Sequence, residues 1–371
     1  MKATFPHLGN LYIPCKALLS ELGLEPVVPP QTSQRTIALG TRVSPEFACF
    51  PFKVNLGNYI EAIESGAECI FMAGGAGPCR FGYYGEVQRE ILKEAGYHVE
   101  FLIFEAPKNQ PQEFWKRIKR VVPQHTISRF RKALHIFWLK AQAIDKLDRL
   151  VNKIRPLEQF PGAATHLQNR FYQLIDDAAL AKDIKQIFEN CVAELQTIPQ
   201  KQAPAPLKVA LVGEIYMVLE PRVNFQIERI LGEMGIEVKR TIYLTDWILE
   251  HLCPNVFKPG WYKQLQFLAR PYLQNNVGGH GLETVAHTVE AGINDFQGVI
   301  ELAPFTCMPE IIAMQVLPAV SRELSIPVLN IIIDEHSAEA GIQTRLEAFI
   351  DLLIRKRKSA AIAAELSPSL L

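Results

Sequence analysis

The sequence lacks any run of about 18 consecutive apolar residues, the length that a membrane-spanning helix requires. Its amino-terminal segment, MKATFPHLGNLYIPCKALLSELG, has neither an uninterrupted apolar stretch nor a small-residue cleavage site, so no secretory signal is predicted. Charge of one sign is not in excess either, because 39 Lys and Arg residues balance 39 Asp and Glu residues. These absences predict a cytoplasmic protein that binds neither membranes nor nucleic acid.

Short apolar runs alternate with helix-periodic segments at both ends of the 371-residue chain, a pattern typical of parallel α/β units. The middle of the chain is charged and helix-periodic, and it has no evident strand. The sequence therefore predicts an α/β protein with an N-terminal α/β domain at 1–110, a helical insert at 111–200 and a C-terminal α/β domain at 206–356. Strands are predicted near 36–39, 69–73, 99–104, 208–212, 237–243, 298–302 and 327–333.

The seven cysteines include no Cys-x2-Cys pair, the short spacing that marks many zinc sites. An odd number of thiols in a reducing compartment also argues against a disulfide framework. Three of them share one setting, a Pro-containing loop followed by a predicted helix: Cys49 in SPEFACFPFKV, Cys79 in MAGGAGPCRFGYYG and Cys307 in ELAPFTCMPEII. The Cys79 and Cys307 segments form a weak internal repeat, in which a strand precedes the loop.

This setting suits metal ligands. Ligands of open α/β sheets bind at the carboxyl ends of the strands, and a helix N-terminus is predicted to lower the pKa of a thiol placed there. Three thiolates that meet between two domains match a [4Fe-4S] cluster with one iron free of a Cys ligand. A zinc ion with three protein ligands and ordinary loop cysteines are the alternatives. Cys69 and Cys191 are predicted to lie in the core, Cys253 in a loop, and the position of Cys15 stays open.

Several further residues are candidates for the same site. Lys53 and Arg80 lie near two of the cysteines and could offset the charge of a cluster, and Gly75 and Gly77 could let the backbone approach it. Glu335 and His336 follow a predicted strand, where His336 could act as an acid or a base; the alternative is that Asp334 caps the next helix. Other candidates with structural alternatives are Glu214 and Glu220, at strand or helix ends, and His280, in a GGHG turn.

The chain resembles the family of 2-hydroxyacyl-CoA dehydratase D-components and benzoyl-CoA-reductase-like subunits, in particular members described as CoA-substrate-specific enzyme activase-related proteins. The resemblance rests on blocks spread along nearly the whole chain: FPHLGNLYIPCKALLSELG, TRVSPEFACFPFKVNLGNYIEA, MAGGAGPCRFGYYGEVQREIL, VGGHGLETVAHTVEAGINDFQGVIELAPFTCMPE and DEHSAEAGIQTRLEAFIDLL.

This resemblance implies flavodoxin-like α/β domains and a [4Fe-4S] cluster held by Cys49, Cys79 and Cys307. It also implies that an ATP-hydrolysing activator with its own cluster supplies one electron at low potential. In the family that electron passes to an acyl-CoA thioester, and hydroxide then leaves the neighbouring carbon. No CoA-binding motif is evident in the sequence, so a partner-dependent subunit in a homodimer or heterodimer is a second hypothesis.

Overall fold

The computed structural model describes residues 1–75, 78–104, 112, 116, 127–202, 204–251 and 260–366. It contains two four-stranded sheets, ordered β2-β1-β3-β4 and β6-β5-β7-β8. All neighbouring strands in both sheets are parallel. Each order follows the first four strands of a flavodoxin-like sheet. The predicted α/β class with two parallel-sheet domains is therefore confirmed.

The first sheet and its helices are built from the amino-terminal third of the chain. Its core is apolar and lies between the sheet and α3, around Leu56, Ile60 and Ile70. The strands are β1 (Lys2–Thr4), β2 (Glu25–Pro26), β3 (Cys69–Ala73) and β4 (Glu100–Phe104), and the helices are α1 (Tyr12–Glu21), α2 (Gln34–Val43), α3 (Phe50–Glu64) and α4 (Phe81–Glu94).

One predicted strand, at 36–39, is wrong, because these residues belong to helix α2. Ser33 and Thr36 form a capping box, in which each side chain bonds the other residue's backbone N–H. The helix then packs closely on α3 through Gly40 and Gly57. A cap and a tertiary contact thus override the strand preference of the β-branched residues Thr36 and Ile37.

A helical element follows the first sheet: α5 (Ile127–Ile154), α6 (Ala163–Asp177) and α7 (Ala181–Gln196). Its apolar faces form one core, which includes Leu147, Phe171 and Leu195. The predicted helical character holds for the described residues of this region, whereas the three domain limits stay predictions. Although α5 and α14 (Glu339–Leu366) each have 28 residues, no helix in the described part of the chain is long and apolar enough to cross a membrane.

The second sheet repeats the connectivity of the first. Its core includes Val209, Leu302 and Ile331 from the strands and Leu346 from α14. The strands are β5 (Leu207–Gly213), β6 (Ile236–Arg240), β7 (Gly298–Pro304) and β8 (Val328–Ile333), and the helices are α8 (Ile215–Leu219), α9 (Ile227–Glu233), α10 (Leu244–His251), α11 (Gly260–Ala269), α12 (Gly281–Ile293), α13 (Met308–Glu323) and α14.

Candidate metal centre

The three loops that carry the predicted ligand cysteines meet at one backbone carbonyl group. The Phe47 oxygen, two residues before Cys49, accepts a hydrogen bond of 2.9 Å from Nη1 of Arg80, which follows Cys79. The same oxygen accepts a bond of 3.3 Å from the hydroxyl of Thr306, the residue before the third cysteine. The fold therefore brings together three loops that are far apart in the sequence.

Each of the three cysteines stands at the start of a helix. Cys49 is the N-cap of α3 and Cys307 is the N-cap of α13, and a proline occupies the first turn of both helices. Cys79 lies two residues before α4. Cys79 and Cys307 also follow β3 and β7, which border the point where the strand order of each sheet reverses. Ligands of open α/β sheets bind at such points.

The backbone at the helix starts also acts on the thiols. The backbone N–H groups of Phe52 and Glu310, three residues after Cys49 and Cys307, lower the pKa of these two thiols. The N–H group of Phe81 does the same at Cys79. The three helix starts therefore favour the thiolate form of the cysteines.

A glycine turn that precedes α12 packs over Cys79. Gly278 and Gly279 have φ angles of 84° and 51°, values that favour glycine. A Cβ atom on Gly278 would lie 2.8 Å from the Cys79 nitrogen. One on Gly279 would lie 3.0 Å from Cγ of Pro309 and 3.8 Å from Cys79 Sγ. The predicted turn at 278–281 is therefore also part of the wall of the site.

Burial governs the protonation of the thiols. It raises the pKa of Cys49 to about 11, and it also raises the pKa of Cys79 and of Cys307. The nearby charges of Glu214 and Glu310 add to the rise at Cys79 and Cys307. The backbone groups at the helix starts lower these pKa values, as predicted, but burial and neighbouring carboxylates raise them by more, so the net shift of each thiol is upward.

A tyrosine of α4 completes the surroundings of Cys49. The Tyr84 hydroxyl is hydrogen-bonded to Cys49 Sγ, and the Tyr84 ring packs edge-on against Phe52 with the ring centroids 5.0 Å apart. Burial, together with the charge of the thiol, raises the pKa of Tyr84 well above its ordinary value. No local pattern predicts this contact, because Tyr83 and Tyr84 are adjacent and only the fold turns Tyr84 inward.

Three interacting glutamates lie beside the thiols. Glu301 in β7 and Glu310 in α13 are both fully buried, and the Thr284 hydroxyl donates a bond of 2.9 Å to Glu310 Oε2. Burial raises the pKa of Glu301 to about 8 and that of Glu214 to about 7. The pKa of Glu310 is raised mainly by burial and, to a smaller extent, by the charge of Glu301. Sequence reasoning missed Glu301 and Glu310, although a charged residue inside the apolar strand GVIELAP was a signal.

The two predicted residues Lys53 and Glu335 form an ion pair with each other. Lys53 Nζ lies 2.5 Å from Glu335 Oε1, and the Lys53 side chain is 4% exposed. Lys53 belongs to α3, and Glu335 follows β8 of the second sheet. The pair therefore links the two halves of the protein close to the start of α3.

We expect this pair to contribute a measurable coupling free energy. In a double-mutant cycle with Lys53→Met and Glu335→Gln, the coupling should be about 2 kcal/mol, because Lys53 is desolvated and the distance is short. The measurement is urea unfolding of the four proteins. As a control, the exposed pair of Arg170 and Glu194 should couple by less than about 1 kcal/mol. Equal coupling in the two cycles would contradict the prediction.

The other predicted site residues have simpler surroundings. Gly75 packs on the start of α4, where a Cβ atom would lie 3.1 Å from a ring carbon of Phe81, and Gly77 lies outside the described residues. His336 is exposed, and its backbone N–H donates to Asp334 Oδ1. Asp334 also accepts a bond from Ser337, so it orders the turn before α14.

The remaining cysteines are apart from the three helix starts. Cys15 packs against the apolar cluster that contains Ala3 and Leu19, and burial raises its pKa to about 12. Cys69 is buried in β3, and Cys191 is buried in the core of the helical element. Both core predictions are therefore confirmed, and Cys253 lies outside the described residues.

No protein-family model matches the chain, and no curated protein matches it significantly. As they are placed, no three His, Cys, Asp or Glu side chains of the described residues form a group that could hold a metal ion. The features of the chain that point to a function are therefore the sequence blocks and the arrangement of the three cysteine loops.

Proposed function

We propose that the chain is a [4Fe-4S] protein of the 2-hydroxyacyl-CoA dehydratase type, in which Cys49, Cys79 and Cys307 hold the cluster. The observation that carries this proposal is the meeting of the three cysteine loops at the Phe47 carbonyl group. Iron–sulfur clusters usually have four thiolate ligands, so three leave one iron open to a small ligand or a substrate.

The residues around the thiols fit such a group. Thiolates are the usual ligands of iron–sulfur clusters, and backbone N–H groups at the helix starts lower the pKa of each of the three thiols, which favours the thiolate form. Gly279 forms the side of the site next to Cys79. A Cβ atom at this position would lie 3.8 Å from the Cys79 sulfur, so the glycine leaves space beside this thiol. The guanidinium of Arg80 lowers the pKa of Cys79 and offsets negative charge there.

When bound, the cluster would supply single electrons at low potential, received from an ATP-hydrolysing activator protein. The substrate class that follows from the sequence blocks is an acyl-CoA thioester, which would undergo reductive dehydration or reduction. In this chain the thiols hold the group, the helix starts and Arg80 balance its charge, and Tyr84 and the burial of Cys49 exclude water. His336 and Glu335 stay candidates for proton transfer.

A second candidate function is that of an electron-transfer or scaffold subunit that needs a partner chain. It is favoured by apolar side chains that are exposed next to the cysteines: Phe47 is 69% exposed, Phe305 46% and Met308 38%. Exposed apolar groups around a functional site are typical of contact surfaces. The partner would be a second copy of this chain or a related subunit.

Iron analysis tests the proposal directly. Protein purified and reconstituted without oxygen should contain about four irons and about four acid-labile sulfides per chain. Cys79→Ser should lose most of both, together with the visible absorption of the cluster. Cys15→Ala is the matched control, because Cys15 lies in an apolar cluster away from the helix starts, and it should keep the iron.

Two results would overturn the proposal. Absence of iron after reconstitution of the wild-type protein would remove the electron-transfer function and leave a zinc-binding or metal-free protein. Equal iron loss in Cys79→Ser and Cys15→Ala would remove the assignment of the ligands. A third result would favour the partner-dependent function over the first proposal. In it, an activator reduces the bound iron, but no acyl-CoA is turned over until a second subunit is added.

A further inference from the structure

A cavity lies away from the three cysteines, where the amino-terminal segment, the helical element and the second sheet meet. Its volume is about 500 Å³, and none of the three cysteines lines it. This volume falls within the range of small-molecule sites. The walls are polar, with several carboxamide side chains beside four arginines and four carboxylates. Which of these groups still has hydrogen-bonding capacity decides what the cavity can bind.

The carboxylates are engaged by groups of the protein. Asp148 and Glu228 each form an ion pair of 3.0 Å with Arg240. Asp145 accepts bonds of 2.8 and 2.6 Å from the backbone and hydroxyl of Thr245. These acidic groups therefore stabilise the walls and have little capacity left for a cation.

Glu220 is the fourth carboxylate and the most buried of them, with no exposed surface. It accepts bonds from the Gly9 nitrogen (2.6 Å), from His7 Nδ1 (2.9 Å) and from the Arg222 nitrogen (3.1 Å). Glu220 is therefore engaged by three donors of the protein and, like the other three carboxylates, has little capacity left for a cation.

The donors of Arg155 are not fully used. Its side chain is buried, and its guanidinium bonds three neutral oxygens, those of Thr165 (3.1 Å), Asn152 (3.1 Å) and Gln168 (2.8 Å). An arginine has five N–H donors, so two are left. In the part of the chain that the structure describes, no carboxylate forms an ion pair with Arg155.

The position of Arg155 is fixed by packing. A Cβ atom on Gly232 of α9 would lie 2.5 Å from Cδ of Arg155, so the arginine stem occupies the space that this glycine leaves. At the rim, the exposed Arg222 donates to one neutral oxygen, that of Gln31, at 2.8 Å. The cavity thus combines a buried, held guanidinium with a second guanidinium at its entrance.

We propose that this cavity binds a small organic anion, whose phosphate or carboxylate group is held by Arg155 and drawn in by Arg222. The two unused donors of Arg155 select an acceptor-rich ligand, because a guanidinium forms its strongest bonds with oxyanions. The carboxamide side chains suit the hydroxyl or amide groups of such a molecule. The site is separate from the metal centre and does not depend on the function proposed for it.

Calorimetric titration of the full chain tests this site. The probes are glycerol phosphate for the phosphate class and malonate for the carboxylate class, each at ionic strength matched with sodium chloride. We expect saturable binding of at least one probe. Arg155→Gln should raise its Kd about tenfold or more, since charge-assisted bonds are lost, and Arg222→Gln should also weaken binding. The probe that binds more tightly identifies the class of anion.

Two controls make the result specific. Arg89→Gln removes an exposed arginine of α4 that is paired with Glu86 and does not line the cavity, so its Kd should match that of the wild type. Cys79→Ser should also bind normally, because the cavity contains no residue of the metal centre. If Arg155→Gln does not fold, the Kd of the Arg222→Gln variant tests the proposal in its place. The proposal is overturned if neither probe binds the wild type saturably, or if the folded Arg155 or Arg222 variants bind as the wild type does.

Discussion

Gly57→Ala is expected to lower the free energy of unfolding by about 3 kcal/mol or more. A Cβ atom at this position would lie 1.9 Å from the backbone oxygen of Thr36, and the reciprocal Gly40 would place one 1.8 Å from the Lys53 oxygen. Backbone atoms cannot rotate away as a side chain can, so α2 must separate from α3. Urea unfolding followed by circular dichroism measures the loss.

The same substitution should reduce metal content under our proposal, because Cys49 is the N-cap of α3 and moves when this helix is displaced. Gly341→Ala is the control. Gly341 lies near the start of α14 with no atom near its missing Cβ, so alanine should be neutral or stabilising by up to about 1 kcal/mol. Stability of Gly57→Ala within about 1 kcal/mol of the wild type would show that the two helices do not touch as described.

The stability of the metal-free protein is expected to fall as the pH rises from about 5 to about 8. Glu301 is fully buried, and its pKa is raised from an ordinary value of 4.5 to about 8. Between these values the folded state keeps a proton that the unfolded chain has released, so the folded state binds more protons and loses stability with rising pH. The loss should be on the order of 4 kcal/mol.

Glu301→Gln should weaken this pH dependence, leaving the part that comes from Glu214 and Glu310, and should make the protein more stable than the wild type above about pH 8, because the amide cannot ionise. Urea unfolding at four or five pH values measures both effects. Glu347→Gln is the matched control, since Glu347 is exposed and bonds the side chain of Gln343 on α14, and it should leave the pH profile unchanged. A wild-type stability that rises between pH 5 and pH 8 would contradict the burial argument.

Much of the fold could be predicted from the sequence, because buried parallel strands are continuous apolar runs. Strands β3, β4 and all four strands of the second sheet lie where their apolar runs predicted them. Strands β1 and β2 were missed because they have three residues and two residues, too few to form a pattern. The apolar run at 36–39 was predicted as a strand but is helical, because a capping box and a glycine contact determine its conformation.

The candidate site was predictable where the local context carried the information. The Pro-containing loops before helices identified Cys49, Cys79 and Cys307 as one group, and the fold brings their loops together. Tyr84, Glu310 and the raised thiol pKa values depend on contacts between distant segments, which no local pattern encodes. The pairing of Lys53 with Glu335, 282 residues apart, is of the same kind.

The repeated strand order gives the two halves of the chain corresponding positions. Cys79 and Cys307 follow the third strand of their sheets, and Cys49 caps the last helix before that strand in the first half. In the second half the same place, the N-cap of α12, is held by His280. Under our proposal, the first half therefore offers the cluster two thiols and the second half one, with an imidazole at the place that corresponds to Cys49.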